Sequence, residues 1–232
     1  MVDLKEATST NDYIKEHINE LDNFECVYTS NQTKGKGRTG HTWESEPNKN
    51  VALSLLIKSD KIIKNFNIVS VLTGVVIADY LEVLGLTTVS LKWPNDVYVN
   101  EQKICGILLE GNLPEYLIIG VGINVNQTKF EGFSATSIKN ELGMKIDPNL
   151  VAIDISESLI EALKHIDEDI NSIIERYTQL DYLLNKTISF TYNGQNLTGI
   201  AKGIDFDGSL KVMCENKLIN VSSNEVNLVR KA

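Results

Sequence analysis

The chain has 232 residues, of which 42% are hydrophobic and 23% charged, and its formal net charge at pH 7 is −9. This profile is typical of a globular protein with one large domain, or with one domain and a small module. It argues against nucleic acid as a general partner, because a negative field repels phosphate backbones. No apolar run is long enough for a membrane span and no secretory signal begins the chain, so we predict a cytoplasmic protein.

The chain has three widely spaced cysteines, Cys26, Cys105 and Cys214. None lies in a Cys-x-x-Cys pattern, which predicts reduced thiols and no structural zinc. The three histidines are also scattered and indicate neither a metal site nor a catalytic triad. The sequence therefore leaves any protein ligands of a metal unknown.

The first predicted helix follows residues 8–11, whose hydroxyl and amide oxygens can cap it. A strand predicted over 24–30 leads into segment 32–40, Gln-Thr-Lys-Gly-Lys-Gly-Arg-Thr-Gly. This segment has three glycines, three cations and no acid. We predict a flexible loop that wraps a small anionic ligand with backbone N–H groups, Lys36 and Arg38. A solvated surface loop is the alternative.

The glycines of this segment, Gly35-x-Gly37-x-x-Gly40, have the spacing of a dinucleotide-binding fingerprint. No helix pattern begins at Gly40, however, so the context that the fingerprint needs is missing. A P-loop is also excluded, because no Gly-Lys-Ser/Thr ends the segment. Trp43 beside it can cover a purine face, although a tryptophan more often serves as partly buried packing.

An apolar strand is predicted over 51–57, and a buried core helix over 66–84 that ends at Gly85. Residues 92–96, Lys-Trp-Pro-Asn-Asp, follow as a stiff corner. The corner is stiff because Pro94 fixes its own φ and biases the preceding residue toward extended geometry.

A hairpin is predicted over 97–110, directly after this corner. Lys92 and Lys103 stand in otherwise apolar strand patterns, so each needs a counter-charge or an anionic ligand. For Asn95 and Asp96 taken alone, the capping of backbone groups in a tight turn is the more ordinary interpretation.

A further strand is predicted over 115–124, where two glycines on one face allow a ligand close to the backbone. Helical periodicity extends over 148–184, with the charged residues 167–169 at a break or on an outer face. From residue 186 onward, short alternating runs are separated by the turn signals Asn193-Gly194, Asp207-Gly208 and Glu215-Asn216. This meander predicts a small five-stranded barrel of SH3 size, with a domain boundary after Leu184 and domains at 1–184 and 185–232.

Five motifs occur in one order along the chain, at residues 9–11, 32–43, 92–96, 103–110 and 120–124. In this order and spacing they resemble the biotin protein ligases (biotin–[acetyl-CoA-carboxylase] ligases) over essentially the full chain. The resemblance is to the monofunctional type, without an N-terminal DNA-binding domain. It implies an α+β fold: a mixed-sheet catalytic domain related to class II aminoacyl-tRNA synthetases and lipoate ligases, plus a C-terminal SH3-like β-barrel. It also implies an enzyme that forms biotinyl-5′-AMP from biotin and ATP and transfers biotin to a lysine of a carboxylase carrier domain.

The resemblance also implies roles for particular residues. The catalytic residues would be Lys103, Arg38, Lys36 and Asp96. The biotin-binding residues would be Ser9, Thr10, Asn11, Gln32, Gly35, Lys36, Gly106, Leu108, Gly120 and Gly122. The nucleotide-binding residues would be Arg38, Trp43, Asn95, Lys103 and Asn124. Mg²⁺ is expected with ATP, and the implied partners are the carrier domain of acetyl-CoA carboxylase and/or pyruvate carboxylase and a second copy of the chain, with neither nucleic acid nor a membrane.

One position departs from the family pattern, because the first arginine of the usual Gly-Arg-Gly-Arg loop is Lys36 here. Lysine keeps the charge but loses the bidentate fork of arginine. Eight residues precede Ser9, which leaves no room for a DNA-binding domain, so we do not expect operon repression. The alternatives are a lipoate or octanoate ligase or transferase, which shares the catalytic fold, and a non-catalytic module that stores biotin or its adenylate.

Overall fold

The computed structural model describes residues 1–132, 134–192, 194–215 and 217–223, together with the backbone of 226–231. Its strands, in chain order, are β1 (Val2–Asp3), β2 (Cys26–Thr29), β3 (Gly35–Lys36), β4 (Thr42–Trp43), β5 (Val51–Ile57), β6 (Val89–Lys92), β7 (Asp96–Val99), β8 (Gln102–Asn112), β9 (Tyr116–Ile123), β10 (Thr187–Tyr192), β11 (Gln195–Ile204), β12 (Leu210–Cys214), β13 (Lys217–Val221) and β14 (Val226–Lys231). Its α-helices are α1 (Thr10–Glu16), α2 (Asp60–Lys64), α3 (Phe66–Val83), α4 (Ile138–Leu142), α5 (Pro148–Lys164) and α6 (Ile170–Leu180).

Seven strands form the first sheet in the order β1-β2-β5-β9-β8-β7-β6. The β1–β2 pair is parallel and the other pairs are antiparallel, which confirms the predicted mixed sheet. Because side chains alternate along a strand, β5 and β9 direct their odd-numbered residues to one face and their even-numbered residues to the other. The odd-numbered residues join the main core with α3 and α5, whereas Leu56 and Ile118 pack against Ile14 of α1. The face with α1 is the one that carries the cavity described below.

Helix α3 is apolar almost all round, as its sequence predicts, and it is the buried core helix of the first domain. It ends where Gly85 adopts a φ of +102°, a conformation that favours glycine. Among the described residues it is also the one helix long and apolar enough to cross a membrane by length and composition, although 56% of it is buried inside the fold. Of the two placements predicted for residues 167–169, a break or an outer face, the structure shows the break, which lies between α5 and α6.

The five strands after residue 186 form a second, antiparallel sheet in the order β13-β12-β11-β10-β14. This confirms the predicted meander, and its closure into an SH3-like barrel stays a prediction. Positive φ values occur at Gly194, Gly208 and Glu215, where turn signals were read from the sequence. The other two members of those turns, Asn193 and Asn216, lie outside the described residues.

The backbone changes sheets within three residues. Tyr182 donates its N–H to the Leu91 carbonyl of the first sheet at 2.9 Å, whereas Asn185 donates to Ala201 of the second at 2.8 Å. We infer a domain boundary after Leu184 from this exchange.

Several short elements escaped the sequence analysis, namely β1, α2 and α4, whereas β6 confirms the strand pattern around Lys92. Segment 32–40 also differs from the plain loop that its polarity suggests. Here β3 and β4 form a small hairpin in which Gly35 pairs with Trp43, and residues 38–40 form a 3₁₀ turn between them. Two-residue strands contain too few residues to show a period in the sequence.

Candidate active site

A cavity of about 250 Å³ opens on the α1 face of the first sheet. Most of the residues predicted for the site line it, namely Ser9, Thr10, Asn11, Gln32, Lys36, Arg38, Trp43, Asn95, Asp96, Lys103, Gly106, Leu108, Gly120 and Gly122. They come from the start of α1, the β3–β4 hairpin, the corner before β7, and the central strands β8 and β9. The fold therefore brings five separate stretches of sequence to one cavity.

Two predicted residues, Gly35 and Asn124, do not line this cavity. Gly35 is buried in β3, and a Cβ there would lie 2.3 Å from the Trp43 carbonyl oxygen, so glycine is needed for the hairpin itself. Asn124 is buried, and its amide donates to the Thr136 carbonyl at 3.0 Å. Its side chain is thus bonded to the loop that follows β9, and its contact with a nucleotide stays a prediction.

The polar end of the cavity is built on the first turn of α1. Ser9 is the N-cap residue, and its Oγ accepts from the N–H of Asp12 at 3.4 Å. Thr10 donates its N–H to Gln32 Oε1 at 2.9 Å, which ties the helix to the segment after β2. Because Gln32 Oε1 is engaged, its NH₂ group is the part left to meet a carbonyl.

The sequence analysis missed three residues behind this end: Asp12, Ser54 and Glu110. Ser54 lies fully buried in β5 with its Oγ 2.6 Å from Thr10 Oγ1 and 2.5 Å from Asn11 Oδ1. Glu110 accepts from Asn11 Nδ2 at 2.7 Å. A usable signal did exist, because Ser54 is the one polar residue in an otherwise apolar strand.

The glycines on β8 and β9 face protein side chains. A Cβ on Gly120 would lie 2.6 Å from Asn11 Oδ1, and one on Gly122 would lie 2.5 Å from the Trp43 ring. The Trp43 indole also covers Gly106, where a Cβ would lie 3.0 Å from it. Asn11 and Trp43 thus make close approaches that these glycines allow, and because all three glycines line the cavity, their contact with a ligand stays a prediction.

Each cation of the site meets an oxygen of the protein. Lys103 Nζ lies 2.6 Å from Asp96 Oδ1, as an ion pair and not a well-aligned hydrogen bond, and 5.5 Å from the centre of the Trp43 ring. Lys36 Nζ lies 2.7 Å from Asp12, and this hydrogen bond raises the pKa of the lysine. Arg38 donates from Nη2 to the Ser223 carbonyl of the second domain, and burial lowers its pKa, opposed by the charge of Asp96.

The corner at 92–96 is tied to β8 through Asn95. Its amide donates to the Ile107 carbonyl at 2.8 Å, and the Ile107 N–H donates to the Asn95 carbonyl at 2.9 Å. Asn95 therefore binds backbone groups near the turn, which is the structural role that its sequence context predicts. It also lines the cavity. Lys92 lies opposite Asp96 in the β6–β7 pairing, and its Nζ is 3.4 Å from the Tyr98 hydroxyl.

Trp93 joins the corner to the second domain. Its indole N–H donates to the Gly208 carbonyl at 3.0 Å, and Gly208 itself packs so closely that a Cβ would lie 2.9 Å from the Asn67 carbonyl oxygen. Together with the Arg38–Ser223 contact, this places the second sheet directly behind the cavity wall. Within the described residues no group of three or more His, Cys, Asp or Glu side chains could hold a metal ion.

Comparison with known proteins agrees with this architecture. Residues 4–124 match the model of the Biotin/lipoate A/B protein ligase family, and residues 183–229 match that of the Biotin protein ligase C terminal domain. The chain is 30% identical over 215 residues to the bifunctional ligase/repressor BirA of Escherichia coli, covering 87% of this chain and 65% of that protein. It is 26% identical to the biotin–[acetyl-CoA-carboxylase] ligase of Mycobacterium tuberculosis, covering 86% of this chain and 77% of that protein.

Among solved structures, the biotin protein ligase from Aquifex aeolicus in complex with biotin and ATP is similar over 100% of this chain and 98% of that one. The TM-score is 0.89 and the sequence identity 27%. The similarity includes both sheets, and the first family match contains most of the residues that line the cavity. The chain belongs to the biotin/lipoate A/B protein ligase family.

Proposed function

We propose that this protein is an ATP-dependent biotin protein ligase, which forms biotinyl-5′-AMP from biotin and ATP and then transfers biotin to a lysine of a carboxylase carrier domain. The observation that carries the proposal is the two-ended cavity. Thr10 and Gln32 offer neutral hydrogen-bonding groups at one end, and Lys103, beside Asp96 and under the Trp43 ring, offers a fixed cation at the other. A ligand with a neutral polar head and a carboxylate tail fits that division.

The first step brings two anions together, because a carboxylate oxygen must attack the α-phosphorus of ATP while pyrophosphate leaves. Lys103 supplies positive charge at that point, and Asp96 at 2.6 Å holds its ammonium in place. A preorganised cation of this kind stabilises the charge that develops on the transferring group and does not have to reorganise during the reaction. Positioning contributes much of the remainder, since this transfer asks for little covalent chemistry from the protein.

The second step asks a carrier lysine, as a neutral amine, to attack the carbonyl of the mixed anhydride and expel AMP. Arg38 reaches the cavity from the β3–β4 hairpin within the electrostatic influence of Asp96, so it is positioned to hold the phosphate end of the adenylate. Lys36 comes from the same hairpin, but its Nζ lies 2.7 Å from Asp12 behind the opposite end, so it would reach the phosphate only by leaving that carboxylate. Trp43 is placed to cover the adenine. Magnesium would enter with ATP, held mainly by phosphate oxygens and water, because Asp96 is the one carboxylate among the described cavity residues and is already paired with Lys103.

The direct test is ATP-dependent transfer of labelled biotin from the purified protein to candidate carrier domains of acetyl-CoA carboxylase and pyruvate carboxylase. Lys103→Ala should lower the rate of adenylate formation about 100-fold or more, because removing one preorganised charge costs roughly 3 kcal/mol of barrier. Lys164→Ala is the matched control, since it removes a lysine from a surface ion pair far from the cavity.

Three results would overturn the assignment. Pyrophosphate release that depends on lipoate but not on biotin would identify a lipoate ligase. Biotin binding without transfer to any carrier would identify a storage module. Near wild-type turnover of Lys103→Ala would remove the role given to that lysine. The proposal also includes a cytoplasmic location, where carboxylase carriers and ATP are available.

A further inference from the structure

A chain of hydrogen bonds joins the cavity to two residues that do not line it, Ser54 and Glu110. Glu110 Oε2 accepts from Asn11 Nδ2 at 2.7 Å, and Asn11 Oδ1 lies 2.5 Å from Ser54 Oγ. Ser54 Oγ in turn lies 2.6 Å from Thr10 Oγ1. Of the two hydroxyl groups in this hydrogen-bond relay, only that of Thr10 reaches the cavity. The direction in which Thr10 points its hydroxyl proton therefore decides what a ligand meets there.

The direction of every proton in this chain follows from its carboxylate end. Glu110 is paired with the Lys15 ammonium at 2.6 Å and its carboxylate can only accept, so the NH₂ group of Asn11 must face it. The Asn11 oxygen then faces Ser54, which has a single hydroxyl proton and must donate it there. The 2.6 Å contact between the two hydroxyls also needs one proton, and Thr10 has to supply it.

Because the Thr10 hydroxyl proton is used toward Ser54, Thr10 Oγ1 presents only lone pairs to the cavity. Its other nearby acceptor, Gln32 Oε1, is 3.4 Å away and already receives the Thr10 N–H. Gly120 keeps the arrangement in register, because a Cβ there would lie 2.6 Å from Asn11 Oδ1 and would push the carboxamide aside.

We propose that Glu110 is a positioning residue for ligand selection: through Asn11 and Ser54 it fixes the Thr10 hydroxyl as a hydrogen-bond acceptor toward the cavity. The site then favours a ligand with an N–H donor at that point and disfavours one whose head has only sulfur or carbon there. This rests on the proposed function, in which the ureido ring of biotin supplies the N–H. It also gives a physical reason for preferring a ureido head over a dithiolane.

Glu110→Gln tests the relay, because glutamine keeps the shape but can donate as well as accept. Asn11 can then turn over, Ser54 can donate to Thr10, and the Thr10 proton is released toward the ligand. We expect the Kd for biotin to rise about tenfold, as for loss of one hydrogen bond to a group that stays buried. The KM for biotin should rise by a similar factor, with kcat and the KM for ATP changed less than about twofold.

The matched control is Glu141→Gln. Glu141 also accepts from an asparagine amide, that of Asn100 at 2.6 Å, and from a threonine hydroxyl, that of Thr136, but it lies outside the cavity lining. The probes are biotin and its two derivatives methylated at one ureido nitrogen. For the derivative that lacks the N–H facing Thr10, Glu110→Gln should change the Kd less than about twofold, because the steric cost of the methyl group is the same in both proteins.

A second variant keeps the proposal testable if Glu110→Gln folds poorly. Ser54→Ala removes the middle of the relay and should give the same tenfold loss for biotin with the same insensitivity of the methylated probe. Its control is Ser156→Ala, which removes a buried hydroxyl bonded to the Ile153 carbonyl on α5.

The proposal is overturned if Glu110→Gln and Glu141→Gln have equal effects on biotin, or if the methylated probe weakens in parallel with biotin. Failure of the unaltered protein to bind biotin at all would instead overturn the proposed function. The two failures are thus distinguished by the first binding experiment.

Discussion

Gly122→Ala tests whether the Trp43 ring belongs to the nucleotide site. A Cβ at position 122 would lie 2.5, 2.7 and 2.9 Å from three atoms of the indole. Ordinary contacts between carbon atoms are about 3.5–4.0 Å, so the ring must move by roughly 1 Å. Trp43 lies on the short β3–β4 hairpin, which can yield more easily than the central sheet. Most of the cost should therefore appear in ligand binding and not in folding.

The expected result is a rise of about tenfold or more in the KM for ATP, because displacement of a positioning group by about 1 Å can cost up to 10²-fold. The free energy of unfolding should fall by less than the roughly 1–3 kcal/mol typical of overpacking in a rigid core. The assay is pyrophosphate release at saturating biotin over a range of ATP concentrations, together with urea unfolding.

Gly199→Ala is the control for an equal clash elsewhere. Its Cβ would lie 2.6 Å from Val212 Cγ1 and 2.7 Å from Cys214 Sγ in the second sheet, far from the indole. This variant should lose stability and keep the KM for ATP. An unchanged KM for ATP in a well-folded Gly122→Ala protein would refute the reasoning that places adenine on Trp43.

Three further predictions concern the domain junction, a buried acid and Arg38 in the β3–β4 hairpin. Trp93→Phe removes the donor to the buried Gly208 carbonyl and should cost about 1–3 kcal/mol in urea unfolding; equal stability would contradict that hydrogen bond. Burial raises the pKa of Asp181 from 3.8 to about 6, so the folded state resists its ionisation, and wild-type stability should fall by about 2 kcal/mol between pH 4 and pH 7 from this group. Asp181→Asn should remove that part of the fall in unfolding experiments at the two pH values, and an identical pH dependence would count against it. Arg38→Gly should speed the release of biotinyl-5′-AMP, and the released adenylate should biotinylate bystander lysines. An unchanged off-rate of the adenylate would show that Arg38 does not retain it.

The long elements could be predicted from the sequence because their patterns repeat several times. The strand β5, apolar except for Ser54, and the core helix α3 appear where predicted, and the two-domain division was predicted from the change to short alternating strands. The elements that were missed have two to five residues and depend on tertiary contacts, such as the pairing of Gly35 with Trp43. Local pattern contains no information about such contacts.

The site shows the same division. Motif order identified most of the residues that line the cavity, but it could not say which of them would touch each other. Gly120 was assigned to a ligand, and the structure places Asn11 against it. Glu110 ended a predicted strand without any assigned role, because its partners Asn11 and Lys15 lie about a hundred positions earlier in the chain.

The pairing of the cavity cations has a consequence for competition by abundant small anions. Lys103 is met by Asp96, Lys36 by Asp12, and Arg38 by the Ser223 carbonyl. A chloride or free phosphate ion would have to replace or share one of these contacts, and it offers little in return beyond its charge. An adenylate can exchange several contacts at once while it also fills the apolar part of the hollow. Under the proposed function, we therefore expect the site to discriminate against small ions in favour of a larger anionic ligand that contacts several of these cations at once.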